Sequence, residues 1–151
     1  MPNADTQGRV LRQMVEAYVA QRPNARSYTS LGQLWYLSTL AQVDIVIGNS
    51  SSGLIEAPSL CKATINIGDR QKGRLKALSV IDCEPQRESI NAALSKAYSA
   101  NFQATLFNTC NPYGEGGASE KVLRILENYD FSSSLKKMFH DLPDTSPIGK
   151  T

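Results

Sequence analysis

Asn49-Ser50-Ser51-Ser52-Gly53 is the stretch of this chain best suited to hold an anion. It follows the apolar run Val43-Asp44-Ile45-Val46-Ile47-Gly48 and precedes Leu54-Ile55-Glu56. The pattern predicts a buried strand, a tight hydroxyl-rich turn and the first turns of a helix. That order aims backbone N–H groups and small hydroxyls at one point, at the positive end of a helix dipole, where phosphate binds well. Ser50 and Ser51 offer both kinds of donor. Glu56 adds a carboxylate beyond the turn. A bare phosphate has no use for it, but it accepts hydrogen bonds from a sugar diol, so the stretch points to a nucleotide. Two plainer readings compete. Serine caps helices without any ligand, and a glutamate inside the first turn reaches back to do the same. Three serines in a row between a buried strand and Gly53 favour binding modestly. Gly53, three residues before Glu56, lacks the hydroxyl of a full capping box.

A second loop carries charge. Arg70, Lys72 and Arg74 lie between Gly68 and Gly73. A guanidinium matches two phosphate oxygens at once, which suits a diphosphate. Composition alone equally describes a solvated basic turn. His140 is the single histidine and sits beside a tail rich in proline, so no Ser/His/Asp or Cys/His arrangement can be built. Trp35 and Tyr36 fall on a helical pattern and read as core. Gly114, Gly116 and Gly117 flank Glu115 before another helix, which is ordinary loop and cap chemistry.

The elements that must position these loops alternate. Helical spacing runs over 8–22, with Val10, Leu11, Met14, Val15, Tyr18 and Val19, and stops at Pro23. Strand patterns cover 25–29, 43–48, 63–67 and 78–83. Helices are expected over 31–42, over 52–61 with a bend near Pro58, over 86–99 and over 118–128. Residues 108–117 form a turn-rich loop. The tail 141–151 is expected to be flexible, leaving 1–140 as one domain. Short strands between helices imply an α/β fold with a parallel, Rossmann-like sheet covered on both faces. Ligands of such sheets sit at the carboxyl ends of the strands. The loops 48–53 and 68–74 both follow strands and can face one cleft.

Composition narrows the rest. The 151 residues suffice for one domain with a core, and 41% hydrophobic with 20% charged residues describes a globular chain. A net charge of +2 argues against nucleic acid or an anionic membrane surface as partner. No apolar run approaches the ~20 residues of a membrane span, and no leader peptide is visible. Cys61, Cys83 and Cys110 form neither a disulfide framework nor a zinc spacing, which fits a reducing cytoplasm with no metal or cofactor.

The sequence is also familiar in detail. Gly-Asn-Ser-Ser-Ser-Gly-Leu-Ile-Glu-Ala-Pro-Ser at 48–59, Ile-Asn-Ile-Gly-Asp-Arg-Gln-Lys-Gly-Arg at 65–74 and Asn-Pro-Tyr-Gly-Glu-Gly at 111–116 resemble the UDP-N-acetylglucosamine 2-epimerases. So do Pro2-Asn3-Ala4-Asp5 and Ser30-Leu31-Gly32, and the likeness runs in order over most of 2–128. The Asn-Ser-Ser form and the second loop resemble the hydrolysing branch. The resemblance implies the C-terminal domain of a glycosyltransferase-B-type fold, with UDP held in the cleft. It implies conversion of UDP-N-acetylglucosamine and water to N-acetylmannosamine and UDP, by elimination to a glycal and hydration, in sialic acid synthesis. Carried over, Ser50 and Ser51 hold the diphosphate, Glu56 the ribose hydroxyls and Arg70 the UDP site. Asn3 matches another nucleotide-site position, the backbone at Leu31 meets uracil, and Tyr36 matches an aromatic position of the non-hydrolysing branch.

The family's proton-transfer carboxylates and its histidine have no counterpart here, so the resemblance assigns this chain no catalytic residue. The expectation is therefore an incomplete C-terminal domain: the UDP-binding part of an enzyme, inactive without an N-terminal half that is its partner. Alternatives are a nucleotide-binding module without chemistry and the donor half of a glycosyltransferase, the latter disfavoured by the loops at 65–74 and 111–116. Oligomeric state stays open, a homo-oligomer included. In a doubly wound strand order of 3-2-1-4-5-6 the absent strands are central ones. The strand at 43–48 would then present an unpaired apolar edge.

Overall fold

A computed structural model describes residues 8–131. The chain divides into two units, Met1–Glu115 and Gly116–Thr151. The first contains a three-stranded parallel sheet of β1 (Ile45–Gly48), β2 (Ala63–Ile67) and β3 (Val80–Cys83), in that spatial order. Its helices are α1 (Gly8–Ala20), α2 (Gly32–Gln42), α3 (Ser52–Ile55), α4 (Arg87–Ala97) and α5 (Ala100–Leu106), with a 3₁₀ turn at Ala57–Leu60. The second unit contains α6 (Ala118–Asn128). This is the α/β, parallel, Rossmann-like arrangement expected from the alternation of strand and helix patterns. The tail 141–151 and His140 lie outside the described residues.

The register pairs Ile47 with Ile65 and Gly48 with Asn66 across the first ladder, and Ile65 with Ile81 across the second. β2 is central and nearly all buried, as a parallel strand covered on both faces must be. Its side chains alternate. Ala63 and Ile65 join Ile81, Ala93, Ala97 and Leu106 in the core under α4 and α5. Thr64 points the other way and donates through Oγ1 to the Gly53 carbonyl of α3 at 2.8 Å. α3 packs so closely there that a Cβ on Gly53 would lie 2.5 Å from Thr64 Cγ2. Glycine is what lets this turn reach the sheet.

Several expectations need correction. Residues 25–29 form no strand. A strand exists only in a ladder, and here the Arg26 guanidinium instead binds the Pro23 and Ala25 carbonyls at 2.8 and 2.7 Å. β1 is not buried on both faces, since Ile47 is 49% exposed, while its place as an edge strand among the described residues is the one expected for an incomplete sheet. Trp35 is 71% exposed rather than core, and α1 buries none of its apolar residues within the described structure. The helix expected over 52–61 is one turn of α-helix followed by the 3₁₀ turn, because Pro58 supplies no N–H to continue the ladder. α5 was not expected. Its signal is Ser99, whose Oγ accepts from Phe102 N at 3.3 Å as an N-cap, with Phe102 and Leu106 facing the core.

Candidate nucleotide-binding site

Parallel strands send their carboxyl ends to the same edge, so the loops after β1 and β2 emerge side by side. The geometry goes further and ties them together. Gln71, buried to 3% exposure, donates from Nε2 to the Asn49 carbonyl at 2.7 Å. Gly68 leaves β2 at φ +74°, a left-handed turn that suits glycine. A tight bend follows, with Lys72 N on the Asp69 carbonyl at 2.8 Å. Gln71 is thereby turned inward while Arg70 and Lys72 stay exposed.

In the first loop, Ser50 is exposed and Ser51 and Ser52 are half-buried. Ser50 Oγ accepts from Ser52 N at 3.4 Å, and the Ser51 carbonyl accepts from Leu54 and Ile55 N at 2.9 and 3.0 Å. Ser51 stands at the N-cap of α3 but makes no side-chain cap bond, so its hydroxyl is not consumed by capping. Ser52 Oγ meets Tyr36 OH from α2 in a short hydrogen bond. Glu56 does not reach back to cap α3. Its Oε2 is buried without a hydrogen-bond partner. An unpaired buried acceptor costs about 1–3 kcal/mol, and a donor brought by a ligand relieves that cost. One part of the sequence argument weakens: α3 has four residues, so its dipole is small.

The expected residues are thus brought together in part. Ser50, Ser51 and Glu56 share one loop and helix, and Arg70 immediately precedes the residue that binds that loop. Arg70 makes no hydrogen bond or ion pair with another described residue. Leu31 is the N-cap of α2, half-buried, and the structure gives it no bond to either loop. Asn3 lies outside the described residues. Two residues that sequence reasoning passed over hold the site's underside. Asn111, buried, donates from Nδ2 to the Ile55 carbonyl at 2.8 Å and to Ser59 Oγ at 2.6 Å. It also accepts from Tyr113 N at 3.0 Å, while Tyr113 OH binds the Leu75 carbonyl at 3.1 Å. The Asn-Pro-Tyr motif is a strut behind the serine loop. Its only sequence signal is the motif itself, since its partners lie 38 to 56 residues away.

Beside this site, a cavity of about 430 Å³ opens at the carboxyl ends of β2 and β3, lined by residues including Asp69, Lys72, Lys76, Asp82 and Cys83. None of Leu31, Ser50, Ser51, Glu56 or Arg70 lines it. Lys76 Nζ bridges both Asp82 oxygens at 2.8 Å, and Asn66 Nδ2 binds Asp82 Oδ1 at 2.7 Å. Partial burial pushes the Asp82 carboxyl up. The hydrogen bonds from Lys76 and Asn66 and the charge of Lys76 outweigh it, leaving the pKa below the ordinary carboxylate value. Burial, then the charges of Asp82 and Glu84, push the Cys83 thiol up, which disfavours a reactive thiolate. The described residues hold no group of three or more metal-ligating side chains, and no helix among them is long and apolar enough to cross a membrane.

Residues 1–127 match the family model of UDP-N-acetylglucosamine 2-epimerase. The chain is 36% identical over 143 residues to the polysialic acid biosynthesis protein P7 of Escherichia coli, covering 94% of this chain and 36% of that protein. It is 37% identical over 142 residues to the GDP/UDP-N,N'-diacetylbacillosamine 2-epimerase (hydrolyzing) of Campylobacter jejuni, covering 93% and 36%. It is 32% identical over 134 residues to the UDP-N,N'-diacetylbacillosamine 2-epimerase (hydrolyzing) of Legionella pneumophila, covering 89% and 34%. The chain thus spans about a third of the length of these relatives. With its parallel sheet and its paired loops at the sheet's carboxyl edge, it belongs to the UDP-N-acetylglucosamine 2-epimerase family.

Proposed function

We propose that this chain is the UDP-binding part of a hydrolysing 2-epimerase, holding the nucleotide of a UDP-linked 2-acetamido sugar. The observation that carries the reading is the junction of the two loops: Gln71 on the Asn49 carbonyl, with the unpartnered Glu56 Oε2 set behind the serines. Hydroxyls of Ser50 and Ser51 and the guanidinium of Arg70 supply donors and charge to the diphosphate. Glu56 supplies an acceptor to the ribose diol. Two relatives named as hydrolysing 2-epimerases, one of a UDP-linked and one of a GDP- or UDP-linked N,N'-diacetylbacillosamine, support the hydrolysing branch.

In the complete reaction UDP leaves the anomeric carbon as a proton leaves C2, giving a glycal, and water then adds to give the 2-epimer. This chain's residues steady the departing diphosphate and orient the nucleotide; they supply no proton relay. The described residues include no histidine. The chemistry accordingly belongs to the partner half, in a reducing cytoplasm. The same lack favours a second reading, a nucleotide-binding module without chemistry.

Calorimetric titration of UDP into the full 151-residue chain, with Glu56→Gln and Arg70→Ala beside it, tests the binding role. Loss of the charged Arg70 contact should weaken binding by about 1.5–3 kcal/mol. Absence of UDP binding, or binding unchanged in both variants, would overturn it. Release of the 2-epimeric sugar from UDP-N-acetylglucosamine when the chain is supplied with the remainder of a relative, and not by the chain alone, separates the enzyme reading from the module reading.

A further inference from the structure

Gln71 is the feature that neither loop's chemistry absorbs. It is 3% exposed, lies between exposed residues at 69–70 and 72–74, and makes one hydrogen bond among the described residues where its amide can make four. The Asn49 carbonyl only accepts, so the amide's orientation is fixed: Nε2 faces Asn49, and Oε1 is left buried with no partner. A surface turn gains nothing by burying an unsatisfied amide, which costs stability. The arrangement is understandable if the inward side chain serves the outward one beside it.

Resting on the UDP reading above, we propose that Gln71 is a positioning residue: it latches the Gly68–Arg74 loop onto the end of β1 and so sets Arg70 against Ser50 and Ser51 as one diphosphate-binding surface. The geometry supports this in three ways. The latch joins residues 22 apart in sequence that no secondary structure connects at that point. Its anchor, Asn49, directly precedes Ser50, as Gln71 directly follows Arg70, so one bond fixes the relative placement of both donor sets. Arg70 has no other tether among the described residues, so without the latch its guanidinium must be ordered at the moment of binding. Ordering a long side chain and its loop opposes association. The unpartnered Oε1 supplies a place for a further donor once the site is occupied, from a ligand hydroxyl or a captured water.

A double-mutant cycle on the full chain tests the assignment, with UDP as the calorimetric probe. Gln71→Met keeps the bulk of the side chain and removes the latch. It should weaken UDP binding by roughly five- to tenfold, the range of one lost hydrogen bond. In the Arg70→Ala background the same change should alter UDP affinity by less than about twofold, because the residue being positioned is gone. Thermal melting of each variant reports folding separately, and Gln71→Glu provides a second variant of the same shape that cannot donate when ionised. Equal losses from Gln71→Met with and without Arg70 would overturn the positioning role, as would parent-like UDP affinity in Gln71→Met. If Arg70→Ala binds UDP like the parent chain while Gln71→Met does not, the carried-over role of Arg70 fails and the positioning claim falls with it. A parent chain that binds no UDP overturns the functional reading itself.

Discussion

Gly53→Ala is the sharpest probe of how the serine loop is seated. An alanine Cβ at this position would stand 2.5 Å from Thr64 Cγ2 and 3.3 Å from Thr64 Oγ1. Real carbon contacts lie near 3.5–4.0 Å, so about 1 Å must be found. Thr64 is 2% exposed on the central strand and cannot swing freely, because its hydroxyl is committed to the Gly53 carbonyl. Either α3 lifts from the sheet or Thr64 rotates and loses that bond, which is worth about 1 kcal/mol. Overpacking of this kind costs roughly 1–3 kcal/mol. The better helix propensity of alanine returns at most about 1 kcal/mol, and α3 is only four residues long. The net expectation is a loss of about 1–3 kcal/mol, a fall in Tm on the order of 5–10 °C. Chemical denaturation monitored by circular dichroism measures it. The decisive control is Thr64→Ser, which deletes Cγ2 and keeps the hydroxyl. In that background Gly53→Ala should cost at least about 1 kcal/mol less. A Gly53→Ala chain within about 0.5 kcal/mol of the parent, or the same loss in both backgrounds, would refute the close-approach argument.

Two further perturbations address the supports. Asn111→Ala removes two donor contacts and one acceptor contact behind the loop, and should cost about 2–3 kcal/mol in urea denaturation; a loss below about 0.5 kcal/mol would deny the strut. Asp82 has a folded-state pKa below its unfolded value, so its contribution is complete above the unfolded value, near 3.9, and vanishes as pH falls through the folded one. The stability difference between parent and Asp82→Asn should therefore be constant above about pH 5 and shrink below pH 4. It should also be small, a few tenths of a kcal/mol and salt-sensitive, since the Asp82 side chain is 53% exposed. A difference that grows on acidification would contradict the assigned sign.

The order of elements was legible because the signals are local. Period-2 and period-3.6 patterns, serine caps and prolines all act within a few residues, and they locate β1 to β3, α1, α2, α4 and α6 to within a few positions. The failures share a cause. Residues 25–29 look like a strand by composition, but strand formation depends on a partner that composition cannot supply. Trp35 reads as core from its spacing, yet exposure is decided by what packs against α2, and nothing among the described residues covers it. The division of Ser52–Leu60 into a single α-turn and a 3₁₀ turn is visible only as a bend at Pro58. α5 hid behind α4 because Tyr98 continues the helical backbone to Ser99, and only these two cap residues separate the helices.

The site shows the same division at finer scale. That the two rich loops meet follows from topology alone: parallel neighbours in the order β1-β2 deliver their following loops to one edge. Which atoms join them does not follow. Gln71 lies among charged neighbours in the sequence, and Arg70 and Lys72 draw attention because charge is the obvious partner of a phosphate. The structure inverts their visibility. The charged residues are exposed and untethered among the described residues, while the neutral amide between them is buried and bonded across to Asn49. Asn111 repeats the lesson from the other side, a neutral amide satisfying the carbonyl at the end of α3. Amides suit these posts because they donate without a net charge, so they hold backbone carbonyls in a buried place without the desolvation cost of an ion. Charge stands at the rim, where Arg70 and Lys72 stay hydrated, and uncharged donors hold the loop junction beneath them.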